Sequence, residues 1–331
     1  MVVRRLYVLV LLFGWLALHS RDFTLHAQSA DQRAVIEPRE RPASPIKRAK
    51  TVLSVDSSLV LIPVHVTTAL GVPVTGLQKI NFYLCEDGAE QVIKSFTSED
   101  GPISVGLVLD TSASMKNKID RVSAATEAFF GTANPADEFF LVEFNGRARL
   151  AVPFTKDPNQ LNRYVRRSRP SGNTSLFDAI HLALGVMKQN ARYSRRALVI
   201  LSDGGDNWSR RNFQEIKREL TESDVQVYAM GIFDRDYNSH HPREERNGPT
   251  VLEDLTAQTG GRDFPIARLE DLPAIATEIS RDLRQQYILG YYSTNPVADG
   301  KYRRVTVQLT MPEQIPPLRT DYRRGYFVPN R

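Results

Sequence analysis

Cys85 is the only cysteine in 331 residues. A single thiol excludes an intramolecular disulfide framework and any cysteine-based zinc site. It is compatible with an oxidising compartment, where spare thiols are a liability. Histidine is scarce as well: of six, His19 and His26 fall near the N-terminus, and His240 and His241 are adjacent rather than at metal-ligand spacing. No Ser-His-Asp set stands out, and neither a Gly-x-Ser-x-Gly elbow nor a phosphate-binding P-loop is present. No catalytic residues are assigned, and the chain is read as a non-enzyme. Charge of one sign is not in large excess: 43 Lys and Arg against 38 Asp and Glu give +5, too mild to argue for nucleic acid. Beyond the N-terminal segment there is no apolar run long enough for a membrane span, which needs about 20 residues.

That N-terminal segment says where the protein goes. Arg4 and Arg5 precede the apolar run "LYVLVLLFGWLAL", residues 6–18, and the polar stretch "HSRDFTLHAQSA" follows. This is the pattern of a secretory signal. Cleavage is expected after Ala27; Leu25 is larger than the usual residue at its position, so the alternative is an uncleaved anchor, the one case in which a membrane enters. No cysteine follows the apolar core, which excludes a bacterial lipoprotein anchor. The protein is expected to be exported, to the periplasm, the cell surface or the medium. Residues 28–50 are polar, proline-bearing and aperiodic, and read as a disordered linker.

Strands come next. In "LVLIPVHVTT" Val60, Ile62, Val64 and Val66 alternate onto one face. "NFYLCEDG" reads as a strand into a tight turn, with "QVIKSF" as its return partner. From about residue 101 to 290, buried strands ("ISVGLVLD", "RRALVILSDGGDN", "DVQVYAMGIF") alternate with amphipathic helices. One of these, "SLFDAIHLALGVMKQN", repeats Leu176, Ile180, Leu184 and Met187 at helical spacing. This alternation predicts an α/β fold, a doubly wound and mostly parallel central sheet with helices on both faces. The tail, with Val305, Val307 and Leu309 on one face, returns to strands. It forms either a small antiparallel β-subdomain with the N-terminal strands or an extension of the main sheet. The expected division is a signal peptide (1–27), a linker (28–50), an N-terminal strand segment (51–99), a central domain (100–290) and a C-terminal strand extension (291–331).

Two of the buried strands end in acid, at Asp110 in "LVLDTSASMKNK" and at Asp203 in "LSDGGD". Ligands of open α/β sheets sit outside the carboxyl ends of the strands. Between the two acids lies "PSGNTSLFDAI", a glycine-bearing loop with Thr174 just ahead of a helix. Three loops would then present Asp110, Ser112, Ser114, Thr174 and Asp203 to one point. All five offer oxygen, which suits a hard cation: Mg2+ or Mn2+ in octahedral coordination, with Ca2+ as a further alternative. Taken singly, Asp110 and Ser112 could instead cap a helix beginning near Met115, and Asp203 could sit in a turn.

These residues resemble the von Willebrand factor A domain, shared with the integrin I domain. That family carries a metal-ion-dependent adhesion site of the form Asp-x-Ser-x-Ser, then Thr, then Asp. "DTSAS", Thr174 in "GNTS" and Asp203 in "SDGGD" match each element in order, and the resemblance covers about residues 100–290. The flanks "GVPVTGLQKINFYLCEDGAEQVIKSF" and "YILGYY … GKYRRVTVQL … RRGYF" resemble a narrower group of secreted bacterial proteins, abundant in acidobacteria. One departure is "TTALG", where that group would carry an acidic turn residue. The resemblance implies a Rossmann-like domain whose Ser112, Ser114 and Thr174 bind the cation directly or through water. Asp110 and Asp203 would hold it in the same way. The last position is left for an Asp or Glu carboxylate of a partner protein. The implied function is adhesive binding without nucleic acid. The alternatives are an assembly protein in which the metal only stabilises the fold, or a Mg-dependent hydrolase with Asp110 as nucleophile. That last chemistry usually wants a second acid where Ser112 stands.

Weaker signals remain. Arg163, Arg166, Arg167 and Arg169 precede the Thr174 loop; Arg166, Arg167 and Arg169 either steer an acidic partner or form a solvated helix face. "DRDYNSHHPREE", residues 234–245, imitates an EF-hand loop but has Ser239 where glycine is needed, and reads as a charged surface loop. "NTS" and "NWS" match glycosylation acceptors on the predicted metal side, where a glycan would obstruct binding, and are read as accidents. Cys85 is expected to be a small buried apolar residue.

Overall fold

The structure, a computed structural model, describes residues 59–98, 100–233, 247–312 and 315–330. The signal, the linker, the EF-hand-like stretch and His240 and His241 lie outside the described residues.

The central sheet has six strands: β5 (Ser104–Asp110), β6 (Glu138–Phe144), β7 (Ala148–Thr155), β8 (Arg196–Ser202), β9 (Gln226–Ile232) and β10 (Asp263–Ile266). Their order is β10-β9-β8-β5-β6-β7, all parallel except β7, which runs antiparallel on β6. The interior strands β5, β6 and β9 are buried at every residue. The pleat explains their continuous apolar character, because alternate side chains enter different cores. Val105, Leu107 and Leu109 of β5 pack with α1 (Ile119–Gly131), α2 (Pro158–Arg167) and α6 (Leu272–Arg284). Val108 faces α3 (Leu176–Asn190), α4 (Phe213–Glu222) and α5 (Gly248–Thr259) on the other side. The expected helical stripe of α3, Leu176, Ile180, Leu184 and Met187, is its buried face.

The flanks fold into two further four-stranded antiparallel sheets. One has the order β13-β1-β11-β4, with β1 (Val60–Thr67), β4 (Ile93–Thr97), β11 (Gln286–Tyr291) and β13 (Arg319–Tyr322). The other has the order β14-β12-β2-β3, with β2 (Phe82–Glu86), β3 (Ala89–Glu90), β12 (Tyr302–Leu309) and β14 (Gly325–Phe327). Ile62, Val64 and Leu289 from the first and Leu84, Val305 and Val307 from the second share one apolar cluster, so the two sheets make a sandwich. Of the two arrangements open to the tail, the joint β-subdomain is the one that forms.

Two local readings change. "QVIKSF" does not return on β2: β2 pairs with the short β3, and the chain then crosses to the other sheet, where β4 pairs with β11. A hairpin motif fixes a turn, but the apolar face of β4 chooses its sheet. Cys85 is half-buried, not buried, because it shares the outward face of β2 with the exposed Tyr83.

Toward the amino edge of the central sheet, the two parts meet through buried charge. His65 of β1 lies 3.3 Å from Asp282 of α6, and the guanidinium of Arg262 pairs with the same carboxylate. Arg284 closes on Asp137, just ahead of β6. One residue, Gln285, separates α6 from β11.

Candidate metal centre

β5 and β8 are neighbours in the sheet, and both run out at its carboxyl edge. Asp110 is the last residue of β5 and is fully buried. Its Oδ1 accepts from the Ser112 backbone N–H at 2.8 Å, and its Oδ2 accepts from the Ser202 hydroxyl at 2.6 Å. Asp203 follows β8 directly, 1% exposed, and its Oδ1 accepts from the Gly205 N–H at 3.4 Å. Burial, and after it the charge of Asp203, push the Asp110 carboxyl up to about 7, against the opposing pull of its hydrogen bonds from Ser112 and Ser202. Among the described residues no basic side chain comes within ion-pair distance of Asp110.

Ser112 immediately precedes a 3-10 turn, Ala113–Met115, that carries Ser114, and the two hydroxyls meet at 3.0 Å. Ser112 stands at the N-cap of that turn but makes no side-chain cap, and α1 begins later, after Lys118. The capping alternative for Ser112 therefore does not describe its hydroxyl. The loop is braced from both sides. The Ala113 N–H donates to the Gly172 carbonyl at 3.1 Å, and the Ser171 N–H donates to the Thr111 carbonyl at 2.8 Å. This ladder brings the Thr174 loop against the Asp110 loop.

Thr174, 5% exposed, is held from the Asp203 side. Its N–H donates to Asn207 Oδ1 at 3.0 Å, and its carbonyl accepts from the N–H groups of Asn207 and Trp208, both at 3.0 Å. The same loop clasps the start of α3 reciprocally. Asp206 accepts from the Phe177 N–H at 3.0 Å, and Asp178 accepts from the backbone N–H groups of Arg210 and Arg211 at 3.2 and 3.3 Å. Gly204 is at φ 75°, and a Cβ there would come within 2.4 Å of the Gly248 carbonyl oxygen, so only glycine lets this turn pass under α5.

Loops from β5, from the α2–α3 connection and from β8 thus brace one another at a single edge of the sheet. Ser202, Asn207 and Asp206 are supporting residues that the sequence pattern does not single out. Ser202 carries a visible signal, a hydroxyl on the strand residue next to Asp203, whereas Asn207 appears in the sequence only as part of "NWS". The expected arginine rim is less uniform than its spacing suggests. Arg166 is drawn onto Glu127 of α1, and Arg163 lies 3.7 Å from Asp157. Arg169 donates to the backbone carbonyls of Arg167 and Ser168, leaving Arg167 and Arg169 exposed next to the loop.

The donor set fits a hard divalent cation. It combines two buried carboxylates with hydroxyls and no nitrogen or sulfur, and among the described residues Asp110 is stabilised by hydrogen-bond donors and by no basic side chain. Among the described residues no group of three or more His, Cys, Asp or Glu could hold a metal, so hydroxyls must supply much of any coordination.

Residues 105–205 match the family model described as the von Willebrand factor type A domain. Over that segment the chain is similar to the von Willebrand factor A domain. No curated protein matches the sequence. Solved structures similar to this chain include an aerotolerance-related membrane protein from Bacteroides fragilis NCTC 9343, at 18% identity and TM-score 0.45, over 55% of this chain and 98% of that one. A von Willebrand factor type A protein from Catenulispora acidiphila is similar at 11% identity and TM-score 0.47, over 76% and 74%. The pilus adhesin SpaC from Lactobacillus rhamnosus GG, in an open conformation, is similar at 11% identity and TM-score 0.46, over 74% and 41%. The matched segment runs from the second residue of β5 to just past Asp203, and so spans all five candidate ligands.

Proposed function

We propose that the chain is an exported protein-binding module that grips a carboxylate of its partner through a divalent cation. Asp110, Ser112, Ser114, Thr174 and Asp203 hold the cation, Mg2+ before Mn2+ or Ca2+, and an Asp or Glu of the partner completes its shell. The observation that carries the reading is Asp110 itself: fully buried, beside a second carboxylate, and, among the described residues, stabilised by hydrogen-bond donors without a basic partner. Two carboxylates only balance a divalent charge, so a third anion is welcome at an open position. Export is supported by the Arg4-Arg5 and apolar N-terminal pattern. Binding is favoured over hydrolysis because Ser112, not a second acid, follows Asp110 at the position where phosphoryl chemistry wants a proton carrier.

Calorimetry and thermal melting with Mg2+ and Mn2+ test this on the whole chain. Saturable binding that raises the melting temperature, and is lost in Asp110→Ala and Thr174→Ala, is expected, since a ligand selective for the folded state stabilises it by about 2.7 kcal/mol at a hundredfold excess over Kd. A wild type whose melting temperature ignores both cations refutes the metal site.

A further inference from the structure

Beside the metal edge lies a cleft of about 280 Å3 that the five metal-binding residues do not line. Its walls are Arg147, from the turn between β6 and β7, with Trp208 and Arg210 from the loop after β8. Leu182 of α3 lines it as well. Trp208 is 61% exposed, unusual for a residue of its size. Its backbone is nevertheless fixed, because the N–H donates to the carbonyl of Thr174 at 3.0 Å. The indole lies along the turn: a Cβ on Gly146 would stand 3.7 Å from its Cδ1. One short loop thus carries both a support for Thr174 and an aromatic face open to solvent.

Two of the charges around this cleft, those of Arg147 and Arg210, make no ion pair among the described residues. Arg147 and Arg210 are exposed, and among the described residues neither guanidinium has an acidic side chain within ion-pair distance. Asp178, the acid in the wall, is committed to the backbone N–H groups of Arg210 and Arg211. What remains is a small recess with an indole and two guanidinium forks that are unpaired among the described residues. It is smaller than a drug-sized pocket, about 300–1,000 Å3, and suited to a single side chain. Guanidinium forks match carboxylates, and an exposed indole adds contact area at little entropic cost.

We infer that this cleft is a second anchor for the same partner, accepting an acidic side chain that neighbours the one offered to the metal. The inference rests on the metal-dependent reading above and narrows the partner to a segment bearing at least two carboxylates. The metal would hold the first and Arg147 and Arg210 the second, with Trp208 packed between them against the peptide.

Fluorescein-labelled octaglutamate, titrated by anisotropy into the intact chain with excess Mg2+, tests it. Reversing both arginines (R147E/R210E) is expected to weaken binding about tenfold, as for two exposed ion pairs in one site. Trp208→Ala should weaken it as well, and Mg2+ binding by calorimetry should be unchanged in these variants. The charge-matched control R121E/R281E, at exposed positions on α1 and α6, should bind as the wild type does. Equal losses in the control, or no binding of octaglutamate to the wild type, overturn the inference. Binding lost in Asp110→Ala but intact in R147E/R210E overturns the cleft and leaves the metal reading standing. Binding weakened in R147E/R210E but indifferent to Asp110→Ala and to chelation overturns the metal reading and keeps the cleft as a carboxylate site.

Discussion

Toward the amino edge of the central sheet, Asp137 and Asp282 are buried and each meets a guanidinium, from Arg284 and Arg262. At the carboxyl edge Asp110 is equally buried, and what meets it is a serine hydroxyl, a backbone N–H and the charge of Asp203. The contrast teaches where each end of the sheet obtains its compensation. Buried charge is tolerated when it is paired, and removing the partner is far more costly than the pair is worth. Asp137 at the amino edge has its own counter-charge in Arg284, whereas Asp110 has its hydrogen bonds and a like charge for a neighbour.

The widest test of the comparison is Arg284→Met. It leaves Asp137 buried without its guanidinium and should destabilise the fold by about 3–5 kcal/mol in urea denaturation. A loss under about 1 kcal/mol would mean that the amino edge does not depend on its ion pairs. Asp110→Asn should act in the opposite direction when metal is chelated. It removes a charge that repels Asp203, so the melting temperature should rise by a few degrees, on the order of 1 kcal/mol, while the response to Mg2+ disappears. A fall in the chelated state would erase the distinction between the two edges.

The smallest effect concerns His65, which sharpens the amino-edge side of the comparison. Burial, then the nearby Arg262 charge, lower its pKa from 6.5 to about 4. The folded state therefore refuses a proton that the unfolded chain accepts, and this contribution to stability is lost as pH falls from 6.5 toward 4. Asp282 runs the other way. Burial raises it to about 7 despite Arg262, so its contribution is full below 3.8 and is lost as pH rises through 7. In the wild type the two slopes offset one another between pH 4 and 6.5. His65→Leu should leave the Asp282 slope alone, with stability declining from pH 4 to 7; an unchanged profile would disprove the assignment.

Much of the fold was legible because strand burial and helix spacing are local properties. The run Val105–Leu109 and the stripe Leu176, Ile180, Leu184 and Met187 state their own environment. The helix α5 and the four-residue β10 are not legible in the pattern, since the first opens on Gly-Pro with interspersed threonines and the second is too short for a period to register. The exchange of β4 between sheets was hidden as well, because its partner β11 lies nearly two hundred residues away in sequence, as the pairing of Thr97 with Ile288 shows. At the edge itself, the oxygen-bearing residues could be read from their order along the chain. The hydrogen bond from Ser202 and the clasp between Asp206 and α3 could not, because both depend on how loops from different strands meet in space. The rim showed the same limit: Arg166 looked free in the sequence until α1 brought Glu127 beside it.

The central domain is an insertion in the sandwich, entered after β4 and left through α6 into β11, and both crossings lie at the end of the sheet away from Asp110. A tug applied at the carboxyl edge is therefore carried lengthwise down parallel strands to an anchorage at the far end. Along that route the backbone bonds between β5, β6 and β8 are strained side by side in shear instead of being peeled apart in turn. The covalent seam at α6 and β11, one residue long, leaves little slack before the load reaches β1 and β4.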